Sequence, residues 1–244
     1  MPGIGTIVNV ILVIVGGLLG LLFGRLVKDK MQQSIITVIG IVVMFLGIGG
    51  AMEKMLEVTA DGLSAGGTLM LIFCTVIGTF IGELINIEGG FEKFGEWLKK
   101  KSGNSSDAGF LDAFLSTSFT VCIGAMAIVG SIQDGLLGDP SMLIAKSIID
   151  CVTVFMLTSA LGKGCIFSAI PIAILQGGVT ACSGLLEPLM TDTALSYLSM
   201  TGSVLIFCVG VNLVWPGKIK VANMLPTIVL AVVWALFITP LGFF

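Results

Sequence analysis

Eight apolar stretches, each of about 18–22 residues, take up nearly the whole chain, near residues 4–24, 35–52, 68–87, 110–130, 142–161, 164–186, 196–215 and 222–243. At a helical rise of about 1.5 Å per residue, each is long enough to cross a hydrocarbon core of roughly 30 Å. A backbone in lipid must satisfy its own hydrogen bonds, so runs of this kind fold as helices. The fold expected is an all-α polytopic membrane helix bundle of about eight transmembrane helices. Only 11% of the residues are charged, against about 25% in soluble domains. Little but residues 88–107 remains outside the spans, which leaves no room for a soluble catalytic domain. The chain reads as a single membrane domain in three parts: a first helix group at 1–87, an amphipathic helix and linker at 88–109, and a second helix group at 110–244.

The basic residues fall in every second loop. Arg25, Lys28 and Lys30 follow the first span, Lys93 and Lys99–Lys101 the third, Lys163 the fifth, and Lys218 and Lys220 the seventh. The positive-inside rule then places these loops in the cytoplasm and both termini outside it. MPGIGTIVNV lacks the basic start and cleavage site of a secretory signal, so the first span is expected to be retained. In GGFEKFGEWLKKK, Phe91, Phe94, Trp97 and Leu98 share one helical face, the pattern of an interfacial helix on the inner leaflet or of a docking face.

Gly16, Gly20 and Gly24, and likewise Gly78 and Gly82, stand at four-residue intervals that let helix backbones approach, within the chain or across a homo-oligomer. The segments KDKMQQSIITVIGIVV, GDPSMLIAKSIIDCVTV and GKIKVANMLPTIVLAVV, three spans apart, resemble one another weakly, as an inverted or tandem internal repeat would. The six cysteines are scattered, without the close pairing of a disulfide framework or zinc site, and read as packing residues.

The chemistry is concentrated in a few polar positions within the spans. Lys146 and Asp150 lie one turn apart in the fifth span, where a charge costs roughly 2.5–3.5 kcal/mol even on a lenient scale. From a helix start at Ser141, Lys146 is only about 7 Å deep and could snorkel, while Asp150, about 13 Å deep, could not. The pair either fixes packing or serves an ion- or proton-coupled site. The chain has no histidine, which leaves carboxylates for proton exchange.

The fourth span is polar and glycine-broken. Its Ser118 and Thr120 either line a cavity beside a discontinuous helix or bond back to their own backbone. Gln133 and Asp134 fall in an apparent loop, where Asp134 is a solvated carboxylate or lines an entrance. Asp139 and Pro140 suit a helix start. Pro171 and Gln176-Gly177-Gly178 suggest a second interrupted helix, with Gln176 at mid-depth. Asn9, Asn212 and Asn223 are lesser candidates, Asn223 as a cap of the eighth span, and Glu83 is expected to meet Arg25 or the interface.

The motif GAMAIVGSIQDGLLGDPSMLIAKSIID, with NMLPTIVLA, the opening GTIVNVILVIVGGLLG and IGELINIE, resembles the bacterial membrane-protein family called domain of unknown function 554, the YqgA/YdfK-like proteins. The resemblance covers essentially the whole chain and implies a bacterial inner-membrane protein. It implies no substrate, so the candidate residues rest on depth, polarity and spacing.

The reading that results is a secondary transporter or exporter of an ion or small polar solute. Its binding residues are Asp150, Lys146, Gln176, Asp134, Gln133, Ser118 and Thr120. A passive channel or a non-transporting scaffold or sensor is the alternative. No metal cluster, cofactor motif or nucleophile–base pair suggests an enzyme, and nothing suggests nucleic-acid binding. The expected partners are the lipid bilayer, a small solute or ion, and a second copy of the chain through its glycine faces.

Overall fold

The computed structural model describes residues 2–24, 29–59, 62–122 and 125–241. These are helical almost throughout, and seven helices are long and apolar enough to cross a membrane, or up to eight if one bent pair is a single span. In chain order the helices are α1 (Ile4–Gly24), α2 (Asp29–Met55), α3 (Thr68–Ile85), α4 (Ile87–Lys101), α5 (Phe110–Cys122), α6 (Ala125–Leu136), α7 (Ser141–Leu161), α8 (Ala169–Ala181), α9 (Ser183–Leu186), α10 (Asp192–Val214) and α11 (Pro226–Val233). Tight 3-10 segments precede α8 (Lys163–Ser168) and α11 (Val221–Met224), and a π-helical turn, Trp234–Ile238, follows α11. A short hairpin, β1 (Leu56–Thr59) with β2 (Gly62–Ala65), joins α2 to α3 and was not expected from the hydropathy pattern. Large apolar side chains such as Ile7, Leu22, Phe45, Val76 and Phe80 are exposed along the long helices. Lipid is the solvent that suits such a surface.

Three glycine-lined seams hold the bundle together. Gly16 and Gly20 of α1 lie against the backbone of Cys151 and Phe155 in α7, and Gly24 against Ser159, so the two helices run parallel. Gly40, Gly47 and Gly50 of α2 meet α10 at Val214, Phe207 and Ser203 in antiparallel order. Gly78 and Gly82 of α3 meet Thr227 and Asn223. Small residues let backbones approach where larger ones would clash. These faces are therefore filled within the chain, and they do not offer the surface for a second copy that their spacing suggested.

The fourth span departs most from expectation. It is two helices, α5 and α6, whose axes differ by 61°, flanking Ile123 and Gly124, which lie outside the described residues. Helix α6 runs on to Leu136 and so includes Gln133 and Asp134, which the glycine-rich sequence had marked as loop. Conversely, Gln176-Gly177-Gly178 does not interrupt α8. The irregular part of that span is the 3-10 segment before it, and Pro171 sits in the first turn of α8, where its missing N–H costs little.

The amphipathic face of α4 packs in part against the chain itself. Phe91 meets Phe119 edge-on at 5.3 Å, Phe94 lies 6.1 Å from Phe114, and Leu98 is buried with Phe110 and Phe114. Trp97 remains exposed, with the Lys101 ammonium 4.8 Å from its ring centre. Reciprocal hydrogen bonds pin the start of α4. The Glu88 N–H donates to Asn223 Oδ1 (2.8 Å), and the Ala222 N–H donates to Glu88 Oε2 (3.3 Å). Asn223 therefore ties α4 to the 3-10 segment instead of capping the eighth span. All six cysteines are free thiols.

Candidate functional site

Asp150 and Lys146 project from α7 toward α1, α5 and α8, and are 5% and 6% exposed. The Lys146 ammonium pairs with Asp150 Oδ2 and also donates to the Val121 carbonyl at 2.8 Å. Val121 lies in the last turn of α5, whose carbonyls have no partner within the helix and carry the negative end of its dipole. The end of α5 thus supplies an acceptor that a continuous helix would have used internally. This second acceptor is why Lys146 does not snorkel, as depth alone had suggested.

Asn9 of α1 completes the cluster. Its Nδ2 donates to Asp150 Oδ2 at 2.9 Å and to Gln176 Oε1 of α8 at 3.2 Å. Both amides are buried, and Asn9 Oδ1 and Gln176 Nε2 have no partner among the described residues. A buried unsatisfied polar atom costs about 1–3 kcal/mol. Four helices thus converge on one carboxylate, with one acceptor and one donor left over for a further polar group.

The other candidates disperse. Asp134 is buried in α6 and not solvated. Its Oδ2 accepts the N–H groups of Gly3 (3.1 Å) and Gly5 (3.0 Å), fixing the start of α1. A carboxylate there complements the positive end of the helix dipole, a structural task. Gln133 is half-buried in α6 and outside the cluster. Thr120 bonds back to the Ser116 carbonyl at 2.7 Å, whereas Ser118 is buried with no partner among the described residues. The fourth span therefore shows both expected behaviours at once. Asn212 holds the turn after α10 through Ile219 and Lys218, and Asp139 accepts the N–H of Ser141 as a helix-start residue should. Glu83 pairs with Lys220 at 3.0 Å, and Arg25 lies outside the described residues. Asn9, a lesser candidate by sequence, proves central. Its signal was a lone amide in an otherwise apolar span.

A model of the family described as "Protein of unknown function (DUF554)" matches residues 4–236. The chain belongs to the DUF554 family. Among its relatives are the "Uncharacterized protein YqgA" of Escherichia coli (strain K12) and the "Uncharacterized membrane protein YdfK" of Bacillus subtilis (strain 168). The first is 27% identical over 235 residues, covering 93% of this chain and 94% of the relative. The second is 25% identical over 226 residues, covering 93% of each. No solved structure matches. Membership accords with a multi-pass membrane helix bundle, and the DUF554 description names no substrate.

Proposed function

We propose that this DUF554 protein is a secondary transporter or exporter of an ion or small polar solute, with Asp150 as the coupling residue. The observation that carries the reading is the buried cluster of Asp150, Lys146, Asn9 and Gln176 with the Val121 carbonyl, drawn from three helices and the end of a fourth. A proton or a cation at Asp150 neutralises the carboxylate and weakens its hold on Lys146, which keeps the Val121 carbonyl as an alternative partner. Asn9 joins α1 to α7 through that carboxylate and to α8 through Gln176 Oε1, so the charge state of Asp150 bears on how three helices sit. A charge change at a shared contact is the kind of local event that biases a two-state bundle. The bilayer in question is the bacterial plasma membrane, with both termini outside the cytoplasm by the placement of the basic residues. A reporter fused at Phe244 that proves cytoplasmic overturns that orientation.

The test of transport uses proteoliposomes holding an internal pH dye, under imposed pH, sodium or potassium gradients. The wild type moves protons or exchanges them for a cation; Asp150→Asn, at equal insertion and thermal stability, does not. Normal flux through Asp150→Asn sinks the coupling role. Conductance without coupling assigns a channel instead, and the lack of flux in the wild type under every gradient favours a scaffold.

A further inference from the structure

A cavity of about 840 Å³ lies between α4, α5, α6, α8, α10 and α11. That is the size of a small-molecule site. Phe91, Phe119, Leu198 and Ile228 are among its walls, and it runs from Ile85 and Asn86 at the α3–α4 junction to Ile128 in α6. Its rim includes Ile85, Ile174 and Val229, all strongly exposed on membrane-crossing helices, so it opens sideways toward lipid rather than along the bundle axis.

Two polar side chains interrupt the apolar lining, Asn86 at its α3–α4 end and Ser118 on α5. Ser118 is 1% exposed, lines the cavity, and its hydroxyl has no partner among the described residues. Neighbouring hydroxyls in the same region solve this problem locally. Thr120, Ser131 and Ser147 each bond to the carbonyl four residues back, at 2.7, 2.6 and 2.6 Å. Ser118, in the cavity wall, leaves its buried hydroxyl without a partner among the described residues, at a cost comparable to a lost hydrogen bond. Cys122, one turn further along α5, lines the same cavity, while the Val121 carbonyl beside it faces Lys146.

We propose that this cavity binds a free single-chain amphiphile, taken up laterally from the bilayer. Its hydrocarbon chain fills the apolar walls, and an oxygen-bearing group hydrogen-bonds to Ser118. The site stands apart from the ion-coupling cluster, from which the last turn of α5 separates it.

The test is tryptophan quenching by dibromostearic acid in liposomes of unbrominated phosphatidylcholine. The three native tryptophans are replaced by phenylalanine, and reporters are placed at Leu175→Trp and, separately, Ile228→Trp, so that a folding failure in one leaves the other. Val76→Trp, on the lipid-facing side of α3, is the control. Quenching of the cavity reporters is expected to saturate while that of the control rises in proportion to added probe. Ser118→Ala should raise the half-saturating concentration about threefold to tenfold, the worth of one hydrogen bond. Linear quenching of all three reporters overturns the site, and an unchanged half-saturation in Ser118→Ala overturns the part given to the hydroxyl. Full quenching of the cavity reporters by dibrominated phosphatidylcholine, with no further effect of the free acid, assigns the cavity to a phospholipid tail and also overturns the proposal. Binding is read without flux, so this result and that of Asp150→Asn stand or fall separately.

Discussion

The α1–α7 and α2–α10 seams are both built by glycines that bring backbones into contact, yet only the first encloses charge. At the second, Gly40, Gly47 and Gly50 meet Val214, Phe207 and Ser203, and no ionisable side chain takes part among the described residues. The first uses Gly16 and Gly20 in the same way and then adds Lys146, Asp150 and Asn9 a few residues nearer the start of α1. Close helix packing in this chain does not require an ion pair. A buried pair is weak evidence for stability in any case, since desolvation offsets much of the attraction. The difference between the seams therefore points to a role for the α1–α7 cluster other than holding helices together.

The sharpest way to break that contrast is to remove one partner only. Lys146→Met leaves Asp150 buried and unpaired, and is expected to cost about 3–5 kcal/mol, read as a large drop in the melting temperature of the purified protein. The double variant Lys146→Met/Asp150→Leu makes the first seam resemble the second and should recover most of that loss.

Next in size are the glycines themselves. A Cβ on Gly20 would sit 2.5 Å from the Phe155 carbonyl oxygen, and one on Gly47 2.5 Å from the Phe207 nitrogen. Gly20→Val and Gly47→Val should each destabilise by about 3 kcal/mol, toward the upper end for overpacking. A Cβ on Gly49 meets nothing within 4 Å, so Gly49→Val should stay close to wild type. Unequal losses at Gly20 and Gly47 would show that the seams are not mechanical equivalents.

Asp134→Asn keeps the size of the side chain but removes the charge from the start of α1, and should cost about 1–2 kcal/mol while leaving ion flux intact. Loss of flux at unchanged stability would return Asp134 to the functional site.

The smallest effect lies outside both seams, at Glu88. Burial raises its carboxyl above the ordinary range, partly opposed by the hydrogen bond from Ala222. The folded chain then holds a proton that the unfolded chain has already lost. Its contribution to stability is greatest below the ordinary carboxyl range and declines as pH rises through the raised value. Glu88→Gln should match the wild type in acid and melt slightly higher than it near neutral pH, a gap that scanning calorimetry at several pH values would detect.

The spans were legible in the sequence because a hydrocarbon core imposes a single length scale, and α1, α3 and α7 begin or end within a residue or two of the hydropathy boundaries. The isolation of Asp150 was legible for the same reason. What depth could not supply was the partners. The Val121 carbonyl that holds Lys146 lies 25 residues away and becomes available only because α5 stops there. The N–H groups that hold Asp134 lie 131 and 129 residues away, at the start of α1. Glycines misled in both directions. Gly135 falls inside helix α6 in a stretch that reads as loop, and Gly177-Gly178 continues a helix that reads as broken, because tertiary packing overrides a propensity cost of about 1 kcal/mol per glycine. Asn9 was underweighted because one amide in an apolar span carries little signal until the helices facing it are known.

The central claim is that the charged cluster serves ion coupling and not packing, and the double variant Lys146→Met/Asp150→Leu tests it most directly when stability and proteoliposome flux are measured on the same preparation. The account predicts a melting temperature close to that of the wild type together with abolished proton or cation flux. Wild-type flux through the double variant, at unchanged stability, would contradict it.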